Sequence, residues 1–263
     1  MSVRYLRLLR LQLRTALLLA LQYRLDFLVK ALLSLAWVSV ALVPLVVLFH
    51  QRDDIAGWRW PEALLVVGFF SLLKGVLDGA IRPSLQEVVE RIRTGAFDFL
   101  LLKPADAQFL VSTARFELWN FADCCAGLTL IGYGLAHSGH RPTLGGVLLA
   151  LALVGASLLI LYSIWIIVVG LAFVAVKVDN LTYLFGSIYE AARWPASVFR
   201  GVLAFIFTFV IPLVVMTSFP ALALLDRLGS RQALGAVVGA FVFAAFARAL
   251  WQRSVRFYTS AGG

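Results

Sequence analysis

The stretch EALLVVGFFSLLKGVLDGAIRPSLQEVVERIRTG, Glu62 to Gly95, changes character halfway along. After Glu62 it is almost wholly apolar as far as Ile81, with Lys74 and Asp78 its only charges. From Arg82 onward charges return every few residues, and the apolar positions thin to Leu85, Val88, Val89 and Ile92. A hydrocarbon core of about 30 Å is crossed by about 20 apolar helical residues. In lipid only helices and closed barrels pair all of their backbone. A continuous run rich in Leu and Ala is a helix, so residues 62–82 read as a membrane span and residues 84–95 as a short helix outside the membrane.

The rest of the chain repeats the first pattern. Of 263 residues 62% are hydrophobic and 14% charged, with a mean hydropathy of +0.92, against about 25% charged in soluble domains. Spans are expected over 27–49, 62–82, 110–136, 144–176, 197–219 and 232–250, which makes an all-α integral membrane protein with six transmembrane helices in a single permease-like unit over 1–263. The net charge of +9 does not indicate nucleic acid, which requires a basic face on a water-soluble fold; here the basic residues fall between apolar runs. Counted loop by loop, 18 of the 23 lysines and arginines, with Lys74 and Arg115 included, lie on the side of the N-terminus. Only Arg52, Arg59, Arg141, Arg227 and Arg231 lie on the other. The positive-inside rule then puts both termini in the cytoplasm. The first apolar run is too long for a signal peptide and has no small-residue cleavage site, so the N-terminus is expected to be retained.

Two short helices are encoded outside the spans. In RYLRLLRLQLR, Arg4, Arg7, Arg10 and Arg14 share one sector of a helix, and Leu6, Leu9 and Leu13 lie opposite. Residues 1–25 are therefore an amphipathic helix on the inner membrane surface, in contact with lipid. In RPSLQEVVERIRTG, Ser84 and Glu87 have capping-box spacing, the apolar residues follow helical periodicity, and Gly95 suits a C-terminal cap. The mixed charges of its polar face, Glu87, Glu90, Arg91 and Arg93, suit water or protein better than anionic lipid. Pro104 disfavours helix at Lys103. One reading is a helix that only covers the bundle; the other is a lever that receives force from a cytoplasmic motor.

Lys74, Asp78 and Arg82 recur every four residues on one face of the second span, within pairing distance. They form either a structural ion-pair ladder or an intramembrane polar site for a proton or substrate, with Glu117 and Asp123 as neighbours to consider. Gly75 with Gly79, and Gly235 with Gly239, have the spacing that lets helices approach closely, within the chain or between subunits. The adjacent Cys124 and Cys125 read as packing residues. His50, His137 and His140 fall in loops, so neither a catalytic constellation nor a metal site is read. The four lysines, at 30, 74, 103 and 177, occur in no Gly-Lys-Ser/Thr sequence. The chain therefore has no P-loop and is not an enzyme on its own; it binds no cofactor, and ATP hydrolysis would come from a partner.

ERIRTGAFDFLLLKP (90–104), RWPASVFRGVLAFIFTFVIPLVVMTSFP (193–220), RFYTSAGG (256–263) and, more weakly, QYRLDF (22–27) resemble permease subunits of ABC transporters of the type-2 exporter class, the small six-span permeases. The resemblance implies a coupling helix over 84–95 that docks on an ATPase through Leu85, Glu87, Val88, Glu90, Arg91, Ile92, Arg93 and Gly95. It also implies an interfacial helix from Arg4 to Arg24 and an outer re-entrant element over 220–229. The partners would be two cytoplasmic ATP-binding subunits and a second permease, the location the inner (cytoplasmic) membrane, and the direction export. An ion-coupled transporter or channel using Lys74 and Asp78, and a scaffold without a transported solute, stand as the other readings.

Overall fold

The computed structural model of the chain describes residues 2–55, 57–173 and 186–256. The end of the fourth expected span (174–176), Lys177 and the closing stretch from Phe257 onward lie outside the described residues.

Helix α1, Ser2–Gln22, turns at Tyr23 into α2, Arg24–Gln51. A two-residue antiparallel ladder, β1 (Asp54–Ile55) with β2 (Trp58–Arg59), then leads into α3, Trp60–Val76. Leu77–Ile81 wind as a π turn, from which α4, Arg82–Arg93, continues directly. Sequence spacing predicts a helix that starts at a Ser84–Glu87 capping box; instead one helix of 34 residues runs from Trp60 to Arg93. Pro83 explains the π turn. It has no N–H to offer the carbonyl four residues back, Gly79, and its ring would crowd that carbonyl in a regular α-helix. The widened turn relieves the clash, and the freed carbonyls find partners elsewhere. Gly79 O accepts from the Glu117 N–H (2.8 Å) and Asp78 O accepts from Asn120 Nδ2 (2.9 Å).

The same bonds explain why the third expected span does not form as one helix. Ser84 Oγ, free of the capping role, donates to Arg115 O (2.6 Å) and accepts from the Arg115 N–H (3.1 Å). With the backbone at Arg115 and Glu117 committed to α3–α4, residues 113–117 cannot build their own ladder. The segment divides into α5 (Asp98–Leu101), α6 (Ala107–Ser112), a 3₁₀ turn (Leu118–Asn120) and α7 (Phe121–His137). Helix α8, Leu144–Ala172, starts where Thr143 Oγ1 accepts from the Gly146 N–H.

After short 3₁₀ turns at Glu190–Arg193 and Ala196–Val198, α9 (Gly201–Phe205) extends through a π turn (Ile206–Val210) toward α10 (Leu213–Leu224). The two parts meet at 81°. Ile211, before Pro212, takes φ −124° and ψ 88°, outside helical space, as expected for a residue preceding proline. Pro220 sits inside α10, so of residues 220–229 the first five are the end of that helix and the rest lead to the next. Helix α11, Ser230–Arg256, closes the described chain.

Among the described residues, four helices can cross a membrane by length and composition: α2, α3–α4, α8 and α11; the bent α9–α10 pair makes up to five. The fold is all-helical and multi-pass. At the centre, α3 lies against α7, α10 and α8, while α2 packs mainly on α7 and α11 on α8. The α3–α7 contact is close because glycines remove the side chains between the backbones. A Cβ on Gly127 would stand 2.6 Å from Gly68 O, and one on Gly75 would stand 2.5 Å from Cys124 Sγ.

Candidate functional site

Two groups of residues expected to carry function lie on the central helix, and the structure treats them differently. The first is the charge ladder. Asp78 Oδ1 lies 2.8 Å from Arg82 Nη1, and Lys74 Nζ lies 3.6 Å from Asp78 Oδ2, so the i, i+4 ladder exists. Lys74 Nζ also reaches Asp123 Oδ2 on α7 at 3.5 Å. Asp123 is only 1% exposed, and its other carboxylate oxygen accepts from Ser34 Oγ on α2. The network therefore joins three helices and alternates in sign: cation, anion, cation, anion. Arg82 extends over the Trp165 ring on α8, 5.2 Å from its centroid. Of the two neighbours considered from sequence, Asp123 joins the network; Glu117 instead pairs with Arg115 at 3.1 Å.

Beside Lys74 a cavity of about 470 Å³ opens between α2 and α3, lined by Trp37, Pro44, Phe70, Lys74, Glu190 and Arg193. Arg193 pairs with Glu190 and lies over the Phe70 ring, 5.6 Å from its centroid. The wall is amphipathic: aromatic and aliphatic on the α2 side, paired charges on the other.

The second group is the face of α4. Leu85 and Val88 are fully buried against the bundle, with α4 packed on α8 and α6, and Ile92 is partly buried. Leu85 and Val88 hold α4 in place and offer no side-chain surface to a partner, whereas Ile92 keeps part of its side chain accessible. The accessible surface is polar. Arg93 Nη2 binds Glu90 Oε2 at 2.7 Å with both side chains well exposed, and Arg91 Nη2 binds Glu87 Oε1 at 2.5 Å with both half-buried. Gly95 takes φ +73°, a conformation open to glycine, and its N–H bonds to Ile92 O (3.3 Å). It ends the helix as a C-cap glycine should. Just beyond, Phe99, Leu101 and Leu102 are exposed, so the tip of this helix presents charge and apolar surface together.

Sequence reasoning missed a third group. Asp106 caps α6, accepting from the Phe109 N–H (3.0 Å), and pairs with Arg248 of α11 at 2.7 and 3.3 Å. Arg248 also donates to Gln108 Oε1 (2.5 Å), and Gln108 donates to Tyr162 Oη on α8 (2.9 Å). Tyr5 of α1 accepts from the Asp106 N–H (3.2 Å). The Arg248 guanidinium holds the Asp106 carboxyl below the usual aspartate range, the hydrogen bond being the main cause. The available signal was Asp106 after Lys103-Pro104, an N-cap residue following a helix break; its partner lies 142 positions away and could not be read from spacing.

At the opposite end, Glu62 binds Arg227 (2.8 and 3.2 Å) and Arg59 (3.3 Å). Asp226 accepts from Thr143 Oγ1 (2.9 Å) and lies 3.1 Å from His140 Nε2. The Thr143 hydrogen bond keeps the Asp226 carboxyl below its usual range. His137, the last residue of α7 and not a loop residue, contacts Tyr133 O through Nδ1, so His137 and His140 serve different partners, and among the described residues no group of three His, Cys, Asp or Glu could hold a metal.

A multi-pass, all-helical membrane protein with a central helix ending in a charged, solvent-facing tip is the class that this fold and these residues define. Residues 35–262 match the family described as ABC-2 family transporter protein. The chain belongs to that family and is a permease component of an ABC transporter. No curated protein and no solved structure matches it.

Proposed function

We propose that the chain is one permease half of an ATP-driven exporter, that it pairs with a second permease and two cytoplasmic ATP-binding subunits, and that α4 receives their motion. One observation carries this reading: the α3–α4 helix of 34 residues is about 51 Å long at about 1.5 Å per residue, well beyond a core of about 30 Å. Its far end bears the exposed Glu90–Arg93 pair while its shaft is the most buried of the long apolar helices. A push on such a tip is delivered to the centre of the bundle without an intervening hinge, and from there it can bias alternating access.

The six-crossing topology, with both termini cytoplasmic in the inner membrane, is part of the proposal. The four long helices and the bent pair account for five crossings. The sixth is α7 with its 3₁₀ lead-in, 20 residues in all. Helix α1, with its basic sector, lies at the inner surface. The ion-coupled alternative draws less support, because each member of the Lys74–Asp78–Arg82–Asp123 network already has a partner of opposite charge.

The test is to extract the tagged chain gently from its native membrane and ask whether an ATP-binding subunit comes with it and hydrolyses ATP. Sequence alone points to reversing Glu90 and Arg91; the exposures point to Glu90→Arg with Arg93→Glu, since Arg91 is held by Glu87. The reversed pair should lower recovery of the ATPase at least tenfold while the chain still inserts in the membrane. Unchanged assembly and unchanged transport would overturn the lever.

A further inference from the structure

We infer that the cavity between α1, α2 and the segment 114–119 is a binding site for a zwitterionic phospholipid headgroup that carries a primary ammonium, that is, a phosphoethanolamine. The cavity has a volume of about 620 Å³. Its charged lining is Asp26, Lys30, Arg115 and Glu117, with Gln12 beside them. The charges are two cations and two anions, already set as pairs: Lys30–Asp26 at 2.8 Å and Arg115–Glu117 at 3.1 Å. A ligand of single charge would meet as much repulsion as attraction here. A ligand with one phosphate and one ammonium can place each charge against its opposite.

Gln12 selects among the zwitterions. Its Oε1 is buried and accepts no hydrogen bond, and a buried acceptor without a donor costs about 1–3 kcal/mol. Once the Gln12 amide turns that oxygen into the cavity it lines, an ammonium with N–H groups can supply the donor; the quaternary ammonium of phosphocholine has none to give. Lys30 is steadied over the Trp119 ring, 4.4 Å from its centroid, which fixes its charge at the cavity wall. The remaining wall, with Ala16, Ala20 and Phe27, is apolar and suits the glycerol and upper acyl region.

Depth agrees with this chemistry. Helix α2 has 28 residues, about 42 Å, so with a core of about 30 Å its first turns stand at headgroup level. Asp26 and Lys30 lie in those turns, and α1 forms the other side of the cavity.

The test is native mass spectrometry of the full chain, with any co-purifying subunits, after delipidation and titration with phosphatidylethanolamine, phosphatidylcholine or phosphatidylglycerol. Phosphatidylethanolamine should be retained at least about tenfold better than phosphatidylcholine, the ratio of one hydrogen bond to a charged group. Gln12→Leu should reduce that ratio to near one. Ala16→Phe, which puts a ring into the cavity and leaves every polar group in place, should abolish retention of the lipid. Soluble glycerophosphoethanolamine at the same concentration should not displace it. Equal retention of the two zwitterions, a preference that survives Gln12→Leu, a preference for phosphatidylglycerol, or displacement by the soluble headgroup would each overturn the assignment. None of these readouts depends on an ATPase partner, so the site and the proposed function fail separately.

Discussion

Lys74 shows how a charge in an apolar helix is held. It answers Asp78 on its own helix and Asp123 on the next, and Asp123 has almost no contact with solvent. Removing one partner of a buried pair leaves an uncompensated charge at about 3–5 kcal/mol, whereas removing both costs far less. Lys74→Met should therefore destabilise the purified chain by that amount in thermal unfolding, and Lys74→Met with Asp123→Asn should recover most of the loss. An essential ion-coupling lysine would behave otherwise: the double variant would stay folded but inactive in transport. Asp106 offers a pH-dependent counterpart. Its folded-state pKa is depressed below 3.8 by Arg248, so its contribution is complete above the unfolded value and is lost as pH falls through the folded one. Both side chains are about 40% exposed, and screening limits the pair to about 1 kcal/mol or less. Melting curves of wild type and Asp106→Asn should differ at pH 7 and draw together only as pH falls below the ordinary aspartate range.

At the scale of elements, the two glycine pairs of like spacing have opposite fates. Gly75 meets α7 backbone closely and Gly79 rests on the Phe121 ring, while nothing lies within 4 Å of a Cβ built on Gly235 or Gly239. Gly127 meets the α3 backbone at Gly68 and Leu72, where a Cβ would stand 2.6 Å from each. Gly127→Ala should cost about 1–3 kcal/mol, because the new methyl group must displace backbone of α3. Gly235→Ala should leave the chain's stability unchanged or raise it by up to about 1 kcal/mol through helix propensity. Thermal melts of the two variants in one detergent make the comparison, and equal losses would refute the packing described for α3 and α7. The π turn belongs to this scale as well. It arises from Pro83, lets α3 pass into α4 without a break, and leaves carbonyls that tie the 115–120 segment to the central helix.

For the whole molecule, both ends of the bundle are tied: one by Glu62, Arg227 and Asp226, the other by Asp106 and Arg248. Helix α4 and Asp106 stand at one end, and the loop at Arg141 at the other. In a background without the native cysteines, Thr94→Cys and Arg141→Cys, both at exposed positions, should react with a membrane-impermeant maleimide from opposite sides. With both termini cytoplasmic, Arg141→Cys is the one labelled from outside intact cells. Labelling of both from one side would contradict the crossing pattern.

Hydropathy made the membrane class legible, because lipid demands long apolar helices and the runs that supply them are contiguous. The central span, the ladder of Lys74, Asp78 and Arg82 and the C-cap at Gly95 were local patterns of the same kind. What could not be read was set by contacts between distant segments. Ser84 had the spacing of a cap but spends its hydroxyl on Arg115; Leu85 and Val88 had the periodicity of a docking face but are buried in their own bundle. Asp123 rather than Glu117 completes the charge network, and Asp106 finds Arg248, because α7 and α11 bring them there. Helical periodicity assigns a residue to a face of its helix; only the packing of the other helices decides whether that face meets lipid, a partner or the core.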